Sequence, residues 1–397
     1  MRIIGVNISH DTSVSELVDG RILNLFEEER CVREKYYDPN EALLEKYQGL
    51  LAIDRYDLDK DVDRVCFATF DRRLVSYHIN GLVKYETKWL RKFLADVTSK
   101  QLSKTRLDEL VEIYPEFNYK IPKINEDEDI VDIILKEQYK ESQSFHLDTS
   151  KHHEYHAWSG GYFAYDQDEV ETAMCIVWDG GGAQSFFETY PGYQEIESIY
   201  KMDKGVPTLK YQVLSNHRVV GDLSATVPNK TDDCCVCYTD DTEVIDGAEI
   251  VFTSRPSMGM NFSQMSYALG TDEQGRAAGK VMGMASYGRT DKEYIFNRYN
   301  VSQLLEQKSF EHSCTIIDKA LALDPTNKNI ILSGGFSLNC TNNYRYVEKY
   351  PDVNFYVDPV CHDGGTAIGV ALENYLMMQE EGYESSDESY VKKGVWS

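Results

Sequence analysis

One short pattern occurs twice in this sequence, far apart: an apolar run, a polar or glycine turn, and a second apolar run. The first copy opens the chain as IIGVNI, SHDTS and VSELV, followed by Asp19-Gly20 and RILNLFEEE. Asp-Gly supplies the positive backbone angles of a tight hairpin, so the segment reads as strand, turn, strand, hairpin, strand. The second copy is AMCIVWD, Gly180-Gly181-Gly182 and AQSFFETY, with a further strand expected in the early 190s.

At 397 residues the chain exceeds the usual limit of one core, so two subdomains are expected. The recurrence predicts an α/β, duplicated actin-like fold (ribonuclease H-like) in which each half contributes a turn to a central nucleotide cleft. The expected halves are 1–165 and 166–380, with an acidic tail over 381–397. Residues 40–145 are charged and helix-favouring, and read as a helical insertion in the first half. A metal-binding helix is expected over about 150–164. Residues 215–275 are polar and less periodic, and read as a long loop region near substrate. Near the end, NIILSGG reads as a strand, FSLNCTNNYRYVEKY as a helix, NFYVDP as a strand and GGTAIGVALENYLMMQEE as a closing helix.

Lys and Arg number 41 against 66 Asp and Glu, a net charge of −25 that disfavours unassisted attraction to phosphate backbones or anionic membranes. A nucleic-acid partner then needs a local basic patch or another subunit. No run of eighteen apolar residues occurs, and MRIIGVNISH turns polar too early for a signal-peptide core, so a cytoplasmic location without a membrane is expected. The nine cysteines are odd in number and scattered, which fits a reducing compartment better than a disulfide framework. Cys234, Cys235 and Cys237 cluster, but lack the second ligand pair of a structural zinc site.

The densest chemistry is HHEYHAWSGGYF, beginning at His152. On a helix, His152 and His156 face the same way, one turn apart, and suit one metal ion, while His153 points elsewhere. Two imidazoles do not complete a site, and Asp179 and Asp363 are the candidate carboxylate ligands. Each sits beside a glycine pair, in Trp178-Asp179-Gly180-Gly181 and His362-Asp363-Gly364-Gly365. Glycine lets a phosphate approach the backbone, and an aspartate can hold the cation that neutralises it. Ser333-Gly334-Gly335 closes a strand before a segment carrying Asn339 and Asn343, which turns backbone amides toward an anionic ligand. The stretch 279–288, GKVMGMASYG, is a candidate wall of the cleft. His10 and Asp11 lie in the first turn, where an imidazole of ordinary pKa near 6.5 could act as a base. Lys35 could neutralise a leaving phosphate or polarise a carbonyl.

Together SHDTSVSELVDG, FEEERCVREK, HHEYHAWSGGYF, IVWDGGG, GKVMGMASYG, LSGGFSLNC and HDGGTAIGVAL resemble, in order, the O-carbamoyltransferases of nodulation-factor and antibiotic biosynthesis. The resemblance covers that family's amino-terminal, actin-like domain; the carboxy-terminal domain, which in the family makes carbamoyl adenylate from carbamoyl phosphate and ATP, is expected to be absent. It implies that His152, His156, Asp179 and Asp363 surround a divalent metal, Fe(II) by analogy, that touches the nucleotide phosphate. It further implies that His10 deprotonates the acceptor and Lys35 lies beside the transferred group. Asp11, Gly180, Gly181, Gly334, Gly335 and Asn339 would line the nucleotide. Ala278 stands just before GKVMG, where relatives often carry a glutamate, so the ribose contact is expected to differ.

The expected reaction moves a carbamoyl group from carbamoyl adenylate to a hydroxyl, on a sugar or other small molecule or on a hydroxymethyl pyrimidine of viral DNA. A separate adenylate-forming subunit, or a second copy of the chain, is the expected partner. Two other readings compete: threonylcarbamoyl transfer to tRNA adenosine, which uses the same fold, and a non-catalytic nucleotide-binding partner subunit. The HHEYHAWSGGYF segment disfavours the first. Retention of His10, Lys35 and all four presumed ligands disfavours the second.

Overall fold

The computed structural model describes residues 1–7, 9–33, 62–68, 144–148, 150–183, 193–216, 240–271, 277–289 and 297–383. They fall into two units, the first comprising 1–162 with 362 onward, the second 163–361.

The first unit is built on a five-stranded sheet in the order β3-β2-β1-β4-β5. Strands β1 (Arg2–Asn7), β2 (Ser13–Val18) and β3 (Arg21–Glu27) run antiparallel, and β4 (Arg64–Ala68) and β5 (Ser144–Asp148) continue parallel to β1. Asp19-Gly20 makes the predicted hairpin, with φ of 47° and 82°. A short helix, α1 (Glu28–Val32), follows β3. Helix α2 (His152–Asp168) is buried nearly all round through its first three turns. β1 and β4 are buried on both faces, which accounts for their near-continuous apolar runs (Ile3, Ile4, Val6; Val65, Phe67).

The second unit repeats this topology. Its sheet has the order β12-β11-β6-β7-β8-β10-β9. Strands β6 (Thr172–Trp178), β7 (Gln194–Asp203) and β8 (Val206–Ser215) are antiparallel, and β11 (Asn329–Ser333) and β12 (Asn354–Val357) continue parallel from β6. The series β8-β7-β6-β11-β12 thus repeats the order and the directions of β3-β2-β1-β4-β5. This doubled order is the actin-like fold. β9 (Asp241–Ile245) and β10 (Ala248–Thr253) extend the second sheet beyond β8. Helices α3 (Met258–Ala268), α4 (Ala278–Ala285), α5 (Arg298–Leu323) and α6 (Cys340–Lys349) complete the unit. Its core joins Ile176, Trp178 and Leu332 of the sheet to Phe262, Ile317 and Tyr346 of the helices. Each large aliphatic side chain buried there contributes about 1.5–3 kcal/mol.

Three expectations are corrected. Strand β4 lies inside the span 40–145 that reads as a helical insertion, because RVCFA is a five-residue buried strand too short to show periodicity. The remainder of that span up to 143 lies outside the described residues. The region 215–275 is not one long loop: it carries β9, β10 and α3, with Asp246-Gly247 at φ of 51° and 80° repeating the hairpin chemistry of Asp19-Gly20. Finally, helix α7 (Thr366–Glu380) belongs to the first unit, although its sequence position places it with the second half, 166–380. It packs across β1, β2 and β4, burying Ala367, Ile368, Val370, Ala371 and Leu372. Among the described residues no helix is long and apolar enough to cross a membrane.

Candidate metal centre and phosphate turns

In the first unit three sequence-predicted ligands converge. His152 and His156 are successive-turn residues of α2, and Asp363 stands in a 3-10 turn (Asp363–Gly365) that leads into α7. Each imidazole Nε2 lies 3.6 Å from Asp363 Oδ1, and the three candidate ligand atoms lie within 4.8 Å of one another. A separation of 3.6 Å is too long for a direct hydrogen bond. It does fit ligands sharing one ion at metal–ligand distances of about 2.0–2.2 Å, which cannot stand more than about 4.4 Å apart. The two rings meet edge to face with centroids 4.8 Å apart, and all three side chains are at most 3 % exposed. Two imidazoles with a carboxylate suit a first-row divalent ion better than magnesium or calcium, which prefer all-oxygen sets.

Helix packing brings these residues together. A Cβ at Gly369 of α7 would stand 2.0 Å from the Tyr155 carbonyl oxygen, so only glycine lets α2 and α7 approach this closely. Lys151, next to His152, donates to Glu373 of α7. Burial pushes the Asp363 carboxyl up, but His10, His152 and His156 around it hold it well below the usual carboxylate range.

His10 approaches the other oxygen of Asp363, with Nδ1 3.6 Å from Oδ2, and is 58 % exposed. Its ring is therefore open to a substrate as well as held beside the cluster. Asp11 lies on its far side, Oδ2 to Nε2 3.3 Å. The sequence reading missed two partners here. His362 donates from Nε2 to Glu27 Oε1 at 3.0 Å and accepts the Gly364 amide at Nδ1, 3.1 Å. Burial pushes the His362 pKa down, while the hydrogen bond to Glu27 and the charge of Asp11 raise it to about 9. The Gly364 amide opposes that rise, since it occupies the Nδ1 lone pair; the bonded geometry is that of the neutral ring. Glu27 and His362 stand within FEEER and HDGG, both motifs already singled out.

In the second unit Asp179 ends β6, is 8 % exposed, and accepts the Gly180 amide at Oδ1, 2.7 Å. The turn Asp179-Gly180-Gly181 is pressed from two sides. Gly334 has φ of +83°, and a Cβ there would lie 2.4 Å from the Trp178 carbonyl oxygen; one at Gly335 would lie 3.0 Å from Asp179 Oδ1. On the other side Ser257 donates to the Gly180 carbonyl at 2.7 Å, and a Cβ at Gly259 would meet Gly180 N at 2.8 Å. Ser257 and Gly259 also went unrecognised, since they fall in the region read as loop.

Asn339 departs from expectation. Its side chain caps α6 by accepting the Asn342 amide at 3.1 Å and donates to Glu306 Oε2 at 3.1 Å, and the residue is 2 % exposed. Its side-chain groups are thus engaged inside the unit. Asn343 donates to the Ser337 carbonyl at 2.7 Å. Lys35 and the cysteines 234, 235 and 237 lie outside the described residues, as does most of the strand expected at AQSFFETY.

A search of curated proteins gives no match. Among solved structures, full-length HypF in its phosphate- and nucleotide-bound form is 12 % identical, with 96 % of this chain and 56 % of that chain covered and a TM-score of 0.41. This chain thus spans little more than half of HypF. Component A of (R)-2-hydroxyglutaryl-CoA dehydratase from Acidaminococcus fermentans is 9 % identical, covering 96 % and 99 %, with a TM-score of 0.40. The activator of 2-hydroxyisocaproyl-CoA dehydratase from Clostridium difficile, with bound ADPNP, is 10 % identical, covering 98 % and 100 %, with a TM-score of 0.37. Likenesses this distant carry no argument. The family model described as carbamoyltransferase N-terminus, in contrast, matches residues 2–322. That span holds five of the seven motifs, ending before LSGGFSLNC and HDGGTAIGVAL, and it exceeds half of the chain. The chain belongs to the carbamoyltransferase N-terminus family.

Proposed function

We propose that the chain transfers a carbamoyl group from carbamoyl adenylate to an acceptor hydroxyl. The observation that carries this reading is the buried convergence of His152, His156 and Asp363, with the exposed His10 on the second oxygen of the same carboxylate. In a carbamoyltransferase family member, that pairing supports reading the cluster as a metal-ligand set with a base beside it that is open to substrate.

His152, His156 and Asp363 would hold a divalent cation, for which Fe(II) is the proposed identity. When bound, such an ion stabilises negative charge on the phosphate of the nucleotide. The backbone of Gly180, Gly181, Gly334 and Gly335 supplies close approach for that phosphate. The side chain of Asn339 is occupied by Glu306, so no nucleotide contact is assigned to it. His10 accepts the acceptor hydroxyl proton as the acceptor oxygen bonds to the carbamoyl carbon. The bond from that carbon to the phosphate oxygen breaks, and AMP leaves. Lys35 is proposed to balance charge at the transferred group, and Asp11 to orient His10.

Carbamoyl phosphate and ATP are the proposed sources of the adenylate, formed on a separate subunit or a second copy of the chain. The acceptor is a hydroxyl of a small molecule or sugar, or a hydroxymethyl pyrimidine in DNA. The test incubates the purified protein, with and without a candidate partner subunit, with ATP, labelled carbamoyl phosphate and a panel of hydroxylated acceptors. Label in an acceptor supports transfer. Intact carbamoyl adenylate, supplied directly and left unconsumed with every acceptor, refutes it.

A further inference from the structure

Three observations meet at the start of α7. Ser13 and Ser15 are two apart on β2, so strand alternation puts both on one face of the sheet, and both are at most 1 % exposed. Ser13 Oγ donates to the Gly364 carbonyl at 2.8 Å, and Ser15 Oγ donates to the Ala367 carbonyl at 2.8 Å. Beside them on β1, a Cβ at Gly5 would stand 2.0 Å from the Ala367 oxygen, so the strand backbone itself seats this turn. The two carbonyls lie one and four residues past the candidate ligand Asp363, whose own carbonyl accepts Thr366 Oγ1 at 2.7 Å.

We propose that Ser13 and Ser15 are positioning residues of the metal centre. By holding the Gly364 and Ala367 carbonyls they fix the 3-10 turn, and with it Asp363 Oδ1, at the spacing from His152 and His156 that one cation requires. The inference rests on the metal reading of this cluster and adds the strand hydroxyls that set its geometry. A buried serine bonded to a helix carbonyl away from this cluster provides the control. Ser302 is such a residue: it is buried, and its Oγ donates to the Arg298 carbonyl at 2.7 Å in the second unit. Hydrogen-bonding groups behind a ligand alter metal affinity by about 10- to 100-fold when removed.

The experiment titrates the full chain with Co(II) alone and follows the ligand-field absorption of the bound ion, with thermal unfolding of each metal-free variant measured alongside. Ser13→Ala with Ser15→Ala is expected to weaken Co(II) binding about tenfold or more and to change the absorption envelope. Ser302→Ala is expected to leave the Co(II) affinity and spectrum as in the wild type. If the double variant binds Co(II) with the affinity and spectrum of the wild type, as Ser302→Ala does, the hydroxyls are structural only and the proposal fails. Should the double variant not fold, Ser13→Ala alone decides on the same criteria. Failure of the wild-type chain to bind Co(II) overturns the metal reading itself, a result distinct from wild-type-like binding by the serine variants.

Discussion

Glu197 ties the second sheet to the segment that presses on the Asp179 turn, and its acid titration can be worked out from the structure. It lies on β7, 2 % exposed, and receives Arg255 Nη1 at 3.1 Å, Arg255 Nη2 at 2.6 Å and His312 Nε2 at 2.6 Å. Burial pushes its carboxyl up, but the charges and hydrogen bonds of His312 and Arg255 overcome this and hold it at about 2, against 4.5. A folded pKa below the unfolded one gives stability that is fully present above the unfolded value and lost as pH falls through the folded value. At about 1.36 kcal/mol per pH unit the displacement is worth about 3 kcal/mol, of which roughly 2 kcal/mol is gone by pH 3. The perturbation is Glu197→Gln, which keeps the shape and removes the titrating group. Urea unfolding of both proteins at pH 7 and pH 3 reads the stability difference between them. That difference should be on the order of 3 kcal/mol at pH 7, where a buried cation is left uncompensated, and shrink by roughly 2 kcal/mol at pH 3. A difference that stays constant between the two pH values refutes the reasoning.

Alanine at both His152 and His156 should lower metal affinity more than about 100-fold, with far-UV circular dichroism unchanged; bound metal at the wild-type level would remove these residues from the site. His10→Ala should slow carbamoyl transfer about 100- to 10,000-fold while nucleotide affinity, read by calorimetry, stays unchanged, and an equal loss of both would assign His10 to binding. Gly334→Ala introduces a side chain at φ of +83° and 2.4 Å from the Trp178 oxygen. It should cost at least about 2 kcal/mol in denaturant unfolding, and a neutral result would show that the turn relaxes freely.

Much of the site is legible in the chain because its signals are local. His152 and His156 are four apart, and a helix of 3.6 residues per turn puts such a pair on one side whatever it packs against. Asp19-Gly20 specifies its hairpin by backbone sterics alone, and Asp246-Gly247 carries the same signal, overlooked among polar neighbours. Strand β4 was hidden because five buried residues show no period. The resemblance sets Asn339 along the nucleotide, and in the fold its side chain caps a helix start and meets a buried carboxylate, Glu306.

The sequence by itself determined the repeated strand pattern, the imidazole pair and the aspartate–glycine turns, because each depends on residues within a few positions of one another. Only the tertiary structure decided that the closing helix returns to the first sheet, carrying Asp363 to histidines whose nearer member, His156, stands 207 residues earlier in the chain. The physical reason is close approach: Gly5 and Gly369 leave room where a Cβ would sit 2.0 Å from a carbonyl oxygen, and buried serine hydroxyls bond to carbonyls more than 350 residues away. Such contacts have no period or spacing in the chain, and exist only once the sheet and its helices have packed.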